Sequence, residues 1–334
     1  MIRESQTPSE QRRPFGFDVV LITLVLLAFL QMILCIILVS RNIFVVHGAN
    51  AGVAAAALCT FELLRRILFC HARSAFLLRF TDLTEGQIRV INGSRKENWP
   101  VYETPRTSRG VRVADVVFRK GGHIASIIFL FFFHQHVAEA SLILVLSVGL
   151  LLMVSLQAAF MRWNDESRIV WYLFGSTDRI RDGKMARHNA MSASIALTWG
   201  VLIAYTLGSL FVDDKDIDLA GDLVILPLTF GDAMGEIVGT PFGRHKFSVK
   251  GLGDVNQKSL EGCGAVFLGS LIPTLIATTF YKIHEVTWVL PFLVSIITTI
   301  VETVSFRSTD NFTIPVFNCS VVLIWVQFMS FTKA

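Results

Sequence analysis

Charge is scarce in this 334-residue chain: Asp, Glu, Lys and Arg make up 17%, whereas 53% of the residues are hydrophobic. With a mean hydropathy of +0.57, that scarcity excludes an ordinary soluble globule. Cysteine motifs are also missing. The cysteines at 35, 59, 70, 263 and 319 show no CxxC or CxxH spacing, and thiols in apolar runs behave as small hydrophobes. Neither a sulfur-ligated metal nor a disulfide framework is expected. There is no Walker A pattern, internal repeat, heptad array or low-complexity tract. The net charge of +4 is modest, and clustered basic loops in such a chain set membrane orientation rather than bind nucleic acid.

Long apolar runs are what the chain has instead. About 20 such residues cross a bilayer as a helix. The run GFDVVLITLVLLAFLQMILCIILVS (16–40) reaches that length and is too long for a cleaved signal core. It reads as a retained first span behind a hydrophilic tail, 1–17. Further runs predict spans near 48–66, 122–137, 139–161, 190–211, 221–239, 261–281, 286–304 and 312–330. The expected fold is therefore all-α, a polytopic integral membrane helical bundle of about nine transmembrane helices. Residues 123–161 can alternatively be read as one long tilted helix.

The basic segments 65–120, 162–187 and 244–258 contrast with the acidic VDDKDID (212–218) and the short KIHE (282–285). The positive-inside rule puts the three basic segments on the cytoplasmic side. This favours a helical hairpin between 120 and 162, a cytoplasmic amino terminus and a carboxyl terminus on the opposite face. The sequons at Asn92, Asn311 and Asn318 are expected to be unused: the first two face the cytoplasm and the third lies in the last span.

Four polar clusters then share one membrane face: FRKGGH (118–123), the 162–188 loop, the stretch from 231 to 264, and VETVSFRSTDNFTIP (301–315). Asp232 and Glu236 lie four apart, on one helix face, inside an apolar run. Carboxylates there are costly, about 2.5–3.5 kcal/mol at a helix centre, and usually face a polar cavity. Such a pair suits Mg²⁺; a structural ion pair is the bland alternative. Gly231, Gly235, Gly239 and Gly243 trace a helical stripe whose membrane reading is close helix packing. The stripe leads into GTPFGRHK, where Gly243, Arg244 and Lys246 form a glycine-rich basic stretch able to approach a phosphate. In QKSLEGCG (257–264), Ser259 is a candidate N-cap, with Lys258 beside a helix N-terminus that favours phosphate. Glu261 complements that helix dipole. Glu302 is a further intramembrane carboxylate, and Asp310 or Asn311 can cap the last span, which Pro315 is expected to open. His123 follows Arg119 and Lys120 at a span entrance and can join them near a pyrophosphate.

GDAMGEIVGTPFGRHK followed by KSLEG resembles the signature of the CTP-dependent polyprenol kinases: the dolichol, phytol and farnesol kinases and the related CTP-dependent diacylglycerol kinase. RKGGH (119–123) looks like that family's R-K-x-x-H, and ETVSFRSTDNFTIP resembles its E…D-N-x-T-x-P ending. The resemblance covers 119–315 in order and spacing; Gly235 stands where many members have Ala, and the linker carries an extra Asp254. It implies a catalytic membrane domain over 116–334, preceded by two spans and a basic polar loop of unassigned role (18–115). It also implies transfer of the γ-phosphoryl group of CTP, with Mg²⁺, to the hydroxyl of a membrane lipid alcohol. Asp232 and Glu236 would serve at the metal or the attacking hydroxyl. Glu302 or Asp310 would act as a second ligand or a base. Arg119, Lys120, His123, Gly239, Gly243, Arg244, Lys246, Lys258, Ser259, Glu261 and Gly262 would form the nucleotide and phosphate side. The endoplasmic reticulum membrane is the default location. A phosphatidate cytidylyltransferase-like enzyme and a cation-coupled transporter lined by Asp232, Glu236 and Glu302 are the rival readings.

Overall fold

A computed structural model describes residues 48–81, 109–133, 139–163, 186–211, 217–250, 255–280, 288–305 and 310–333, together with Leu30 and Ile33. The remainder of the first expected span, the 164–185 part of the second basic segment and the Asn92 sequon lie outside the described residues. The helices are α1 (Gly48–Phe80), α2 (Arg109–Phe133), α3 (Glu139–Trp163), α4 (Ala186–Phe211) and α5 (Ile217–Leu226). A π-helical turn (Pro227–Gly231) joins α5 to α6 (Asp232–Phe242). Two strands follow, β1 (Lys246–Lys250) and β2 (Val255–Ser259), and then α7 (Leu260–Phe280), α8 (Val289–Val304) and α9 (Asp310–Lys333).

The all-α expectation holds, with one small hairpin added. Among the described residues, four helical segments are long and apolar enough to cross a membrane: Val113–Phe133, Gly221–Phe242, Leu260–Thr279 and Asp310–Met329. The 22-residue Gly221–Phe242 segment is about 33 Å long at 1.5 Å per residue, enough for a hydrocarbon core of about 30 Å. Shorter apolar helices occupy Ser141–Ser155, Ala193–Gly208 and Val289–Val304. Separate helices cover 109–133 and 139–163, with the five residues between them outside the described set.

Helix α7 shows how such a chain divides its surface. Leu268, Ile272 and Ile276, four apart, are exposed, as an apolar face turned to lipid requires. On the opposite face of the helix, Gly262, Val266, Ser270 and Thr274 are buried, and this face meets α6 and the π-turn. A Cβ on Gly231 would lie 2.2 Å from Ser270 Oγ, and one on Gly235 2.5 Å from Val266 Cγ2. The glycine stripe is therefore a packing seam, since small residues let helix backbones approach where lipid removes the hydrophobic drive. A second close approach puts Gly200 of α4 against Pro315 of α9. The largest apolar core lies around α3 and α4 and includes Leu142, Ile143, Leu150, Leu202 and Tyr205. Trp199 stacks on Phe312 at 4.2 Å, tying α9 to that core.

Several boundaries differ from expectation. The basic segment beginning at Arg65 is helical as far as Phe80, because α1 continues through LRRILFCHARSAFLLRF. Buried partners make that possible: Arg73 bonds Asp115 of α2 at 2.8 Å, and Arg65 bonds Glu62 at 2.6 Å. Helix α2 begins at Arg109, so the expected division at 115/116 falls inside one helix. The last span begins at Asp310, and Pro315 sits inside it rather than opening it. The linker after Arg244 is an antiparallel hairpin, with Lys246 opposite Ser259 and Phe247 opposite Lys258. Asn318 is fully buried and its amide donates to Thr298 Oγ1 at 2.8 Å. Asn311 is buried with its amide on Ala193 O at 3.3 Å, so neither side chain is presented for glycosylation.

Candidate functional site

The site is built on helix ends. Helix α6 starts at Asp232 directly after the π-turn, and the Asp232 N–H is shared between the carbonyls of Leu228 and Thr229, four and three residues back. Turns of this kind rotate the side chains that follow and recur at functional positions. Asp232 is buried, and Glu236 lies one turn on. From α2, Lys120 bonds Asp232 and reaches Glu236 Oε2 at 3.5 Å, and Arg119 pairs with Glu236. His123, one turn further along α2, lies in the field of Lys120, Arg119 and Asp232.

The hairpin supplies the other side. Ser259 Oγ accepts the Gly262 N–H at 3.1 Å, capping α7. Glu261 takes the His245 backbone N–H at 3.3 Å and its Nδ1 at 2.7 Å, while the Leu260 N–H donates to His245 O. Gly239 rests against Gly262, and Gly243 against Ser259. These contacts clamp β2 onto the end of α7 and aim Lys258 inwards. Its ammonium donates to Glu302 Oε1 of α8 at 2.6 Å. Burial opposes that charge, but Glu302 and then Asp310 outweigh it and raise Lys258 above the ordinary lysine range.

Three carboxylates from three helices converge here. Asp232, Glu302 and Asp310 each offer an oxygen, all within 4.8 Å of one another. Glu302 retains only 8% exposure, and its Oε2 has no hydrogen-bond partner among the described residues. Mutual repulsion of like charges and an orphaned buried oxygen are both relieved by a cation. An all-oxygen donor set suits a hard divalent ion such as Mg²⁺ or Mn²⁺.

The residues expected from sequence thus separate into three groups. Arg119, Lys120, Asp232, Glu236, Lys258, Glu302 and Asp310 come together. Gly239, Gly243, Ser259, Glu261 and Gly262 form the seam that holds them, and Arg244, His245 and Lys246 are exposed at the hairpin base. The expected metal pair was Asp232 with Glu236. In the fold Glu236 turns to Arg119, and Glu302 and Asp310 take its place beside Asp232. A second polar group had no counterpart in the expectations: Glu62 of α1 accepts from Arg65, Arg66 and Ser126 of α2. Its signal was a carboxylate three and four residues before arginines in an apolar run. No family model, curated protein or solved structure matches this chain.

Proposed function

We propose that the chain is a CTP-dependent lipid-alcohol kinase. The observation that carries the reading is the convergence of Asp232, Glu302 and Asp310 beside Lys258 and Lys120, in a bundle that contains helices long enough to cross a membrane. The motif resemblance over 119–315 supplies the substrate class. Phosphoryl transfer needs positioning and charge neutralisation more than covalent chemistry by the protein. Asp232, Glu302 and Asp310 would hold Mg²⁺, which neutralises phosphate oxygens when bound. Lys258 and Lys120 would meet the triphosphate, and the lipid tail would stay among the apolar helices. The alcohol oxygen bonds the γ-phosphorus as the bond to the β-phosphate oxygen breaks. CDP leaves, and the hydroxyl proton passes to a carboxylate of the cluster. The endoplasmic reticulum membrane is the location proposed.

The test is turnover by the purified full chain with γ-labelled CTP and a panel of dolichol, phytol, farnesol and diacylglycerol. Label on the lipid with release of CDP is expected. With phosphatidate added to the panel, release of pyrophosphate would make it a cytidylyltransferase, and no nucleotide consumption with any of these lipids would refute both enzyme readings. Asp232→Asn should abolish transfer while the protein still inserts; full activity in that variant would remove Asp232 from the site.

A further inference from the structure

We infer that Lys258 and a divalent cation compete for Glu302, so that the site holds its cation weakly until a nucleotide draws Lys258 away. The inference rests on the cation-holding part of the proposed function, not on which alcohol is phosphorylated. Three observations carry it. Lys258 Nζ lies 2.6 Å from Glu302 Oε1, so the cation's donor already has a counter-ion. The Glu302 Oε2 is buried and has no partner among the described residues, which use only half of the carboxylate. Asp232, the second member of the cluster, is likewise bonded by Lys120. The two ammonium groups thus stand where a divalent ion would neutralise the carboxylates, and like charges repel at this range.

Lys258 is built to move without disturbing the fold. Its backbone is fixed by the pairing with Phe247 and by the Ser259 cap next to it, whereas its four-carbon stem is flexible and ends in a compact charge. Its side chain keeps 16% exposure, on the edge of the site rather than sealed within it. A triphosphate arriving there offers more negative charge than one carboxylate. As the ammonium turns to phosphate, Glu302 is left free for the cation. Nucleotide and cation then favour one another by linkage, and the empty site stays neutralised by its own lysines.

The experiment is Mn²⁺ binding to the purified full chain, read by electron paramagnetic resonance without nucleotide. Lys258→Met should raise Mn²⁺ affinity by about tenfold, within the usual range of coupling between sites. Lys258→Gln keeps a hydrogen-bond donor on Glu302 and so guards against a folding failure; it should give the same gain. Lys258→Arg keeps the charge and should bind Mn²⁺ no tighter than the wild type. Lys246→Met removes an exposed charge from the same hairpin and should change nothing. Glu302→Gln should abolish the gain in combination with Lys258→Gln. Equal affinity in Lys258→Met, Lys258→Gln and the wild type would overturn the inference, as would an equal gain from Lys246→Met. Neither result depends on turnover, so a failed kinase assay and a failed competition are told apart.

Discussion

Replacing Gly243 by alanine tests whether the α6–α7 seam positions the site. A Cβ there would lie 2.4 Å from Gly239 O, 2.5 Å from Ser259 Oγ and 2.8 Å from Ser259 Cβ. Two of those atoms cannot be relieved by turning a flexible side chain, because one is backbone and the other is the root of a residue locked as a helix cap. Overpacking of this kind costs about 1–3 kcal/mol. The strain also falls on the Gly243 N–H to Gly239 O bond that ends α6 and on the strand presenting Lys258. Two other glycines calibrate the effect. A Cβ at Gly239 would meet Gly262 Cα and Ser259 Oγ at 3.3 Å, so its cost is offset by alanine's better helix propensity, about 1 kcal/mol. A Cβ at Gly264 would meet nothing within 4 Å, so alanine there should stabilise by up to about 1 kcal/mol. Thermal midpoints of detergent-purified variants at one scan rate should rank Gly264→Ala highest, Gly239→Ala near the wild type and Gly243→Ala lowest. Lipid phosphorylation should fall only in Gly243→Ala. A Gly243→Ala protein as stable as the wild type, or a Gly264→Ala protein as weak as Gly243→Ala, would refute the reasoning.

The Arg73–Asp115 pair joins α1 to α2 at 2.8 Å with both side chains buried. Arg73→Met or Asp115→Asn alone should cost about 3–5 kcal/mol by stranding a buried charge, and the double variant should recover much of it; additive losses in a double-mutant cycle would contradict the coupling. Lys258 has its pKa raised above the ordinary 10.5, so its pairing with Glu302 contributes fully below that value. The contribution is lost only as pH climbs through the higher folded-state pKa. The stability difference between wild type and Lys258→Met should therefore not shrink until the pH passes about 10; a difference that vanishes near pH 8 would show that Lys258 is not held this way.

Much of the architecture was legible because lipid imposes a simple rule on the chain. Backbone polar groups in hydrocarbon must be satisfied within the segment, so a long apolar run is a helix, and the runs near 139–161, 190–211, 261–281 and 312–330 coincide with α3, α4, α7 and α9. The same cost of burying charge marked Asp232, Glu236 and Glu302 as unusual before any contact was known. Their partners were not legible. Lys258 meets Glu302 across 44 residues and Lys120 meets Asp232 across 112, separations that no local periodicity reports. Asp232 and Glu236 share a helix face and both meet Lys120, yet Glu236 pairs with Arg119 while Asp232 joins Glu302 and Asp310. KFSVK alternates polar and apolar residues in the strand manner, but VNQKS holds a single apolar residue, and five-residue strands carry too little periodicity to stand out between two spans. Sequence by itself determined which residues are expensive to bury and which segments are helical, because both follow from local chemistry against a lipid solvent. Only the tertiary structure decided which carboxylates converge and which lysine faces them, because that depends on how closely the small faces of α6 and α7 let their backbones approach.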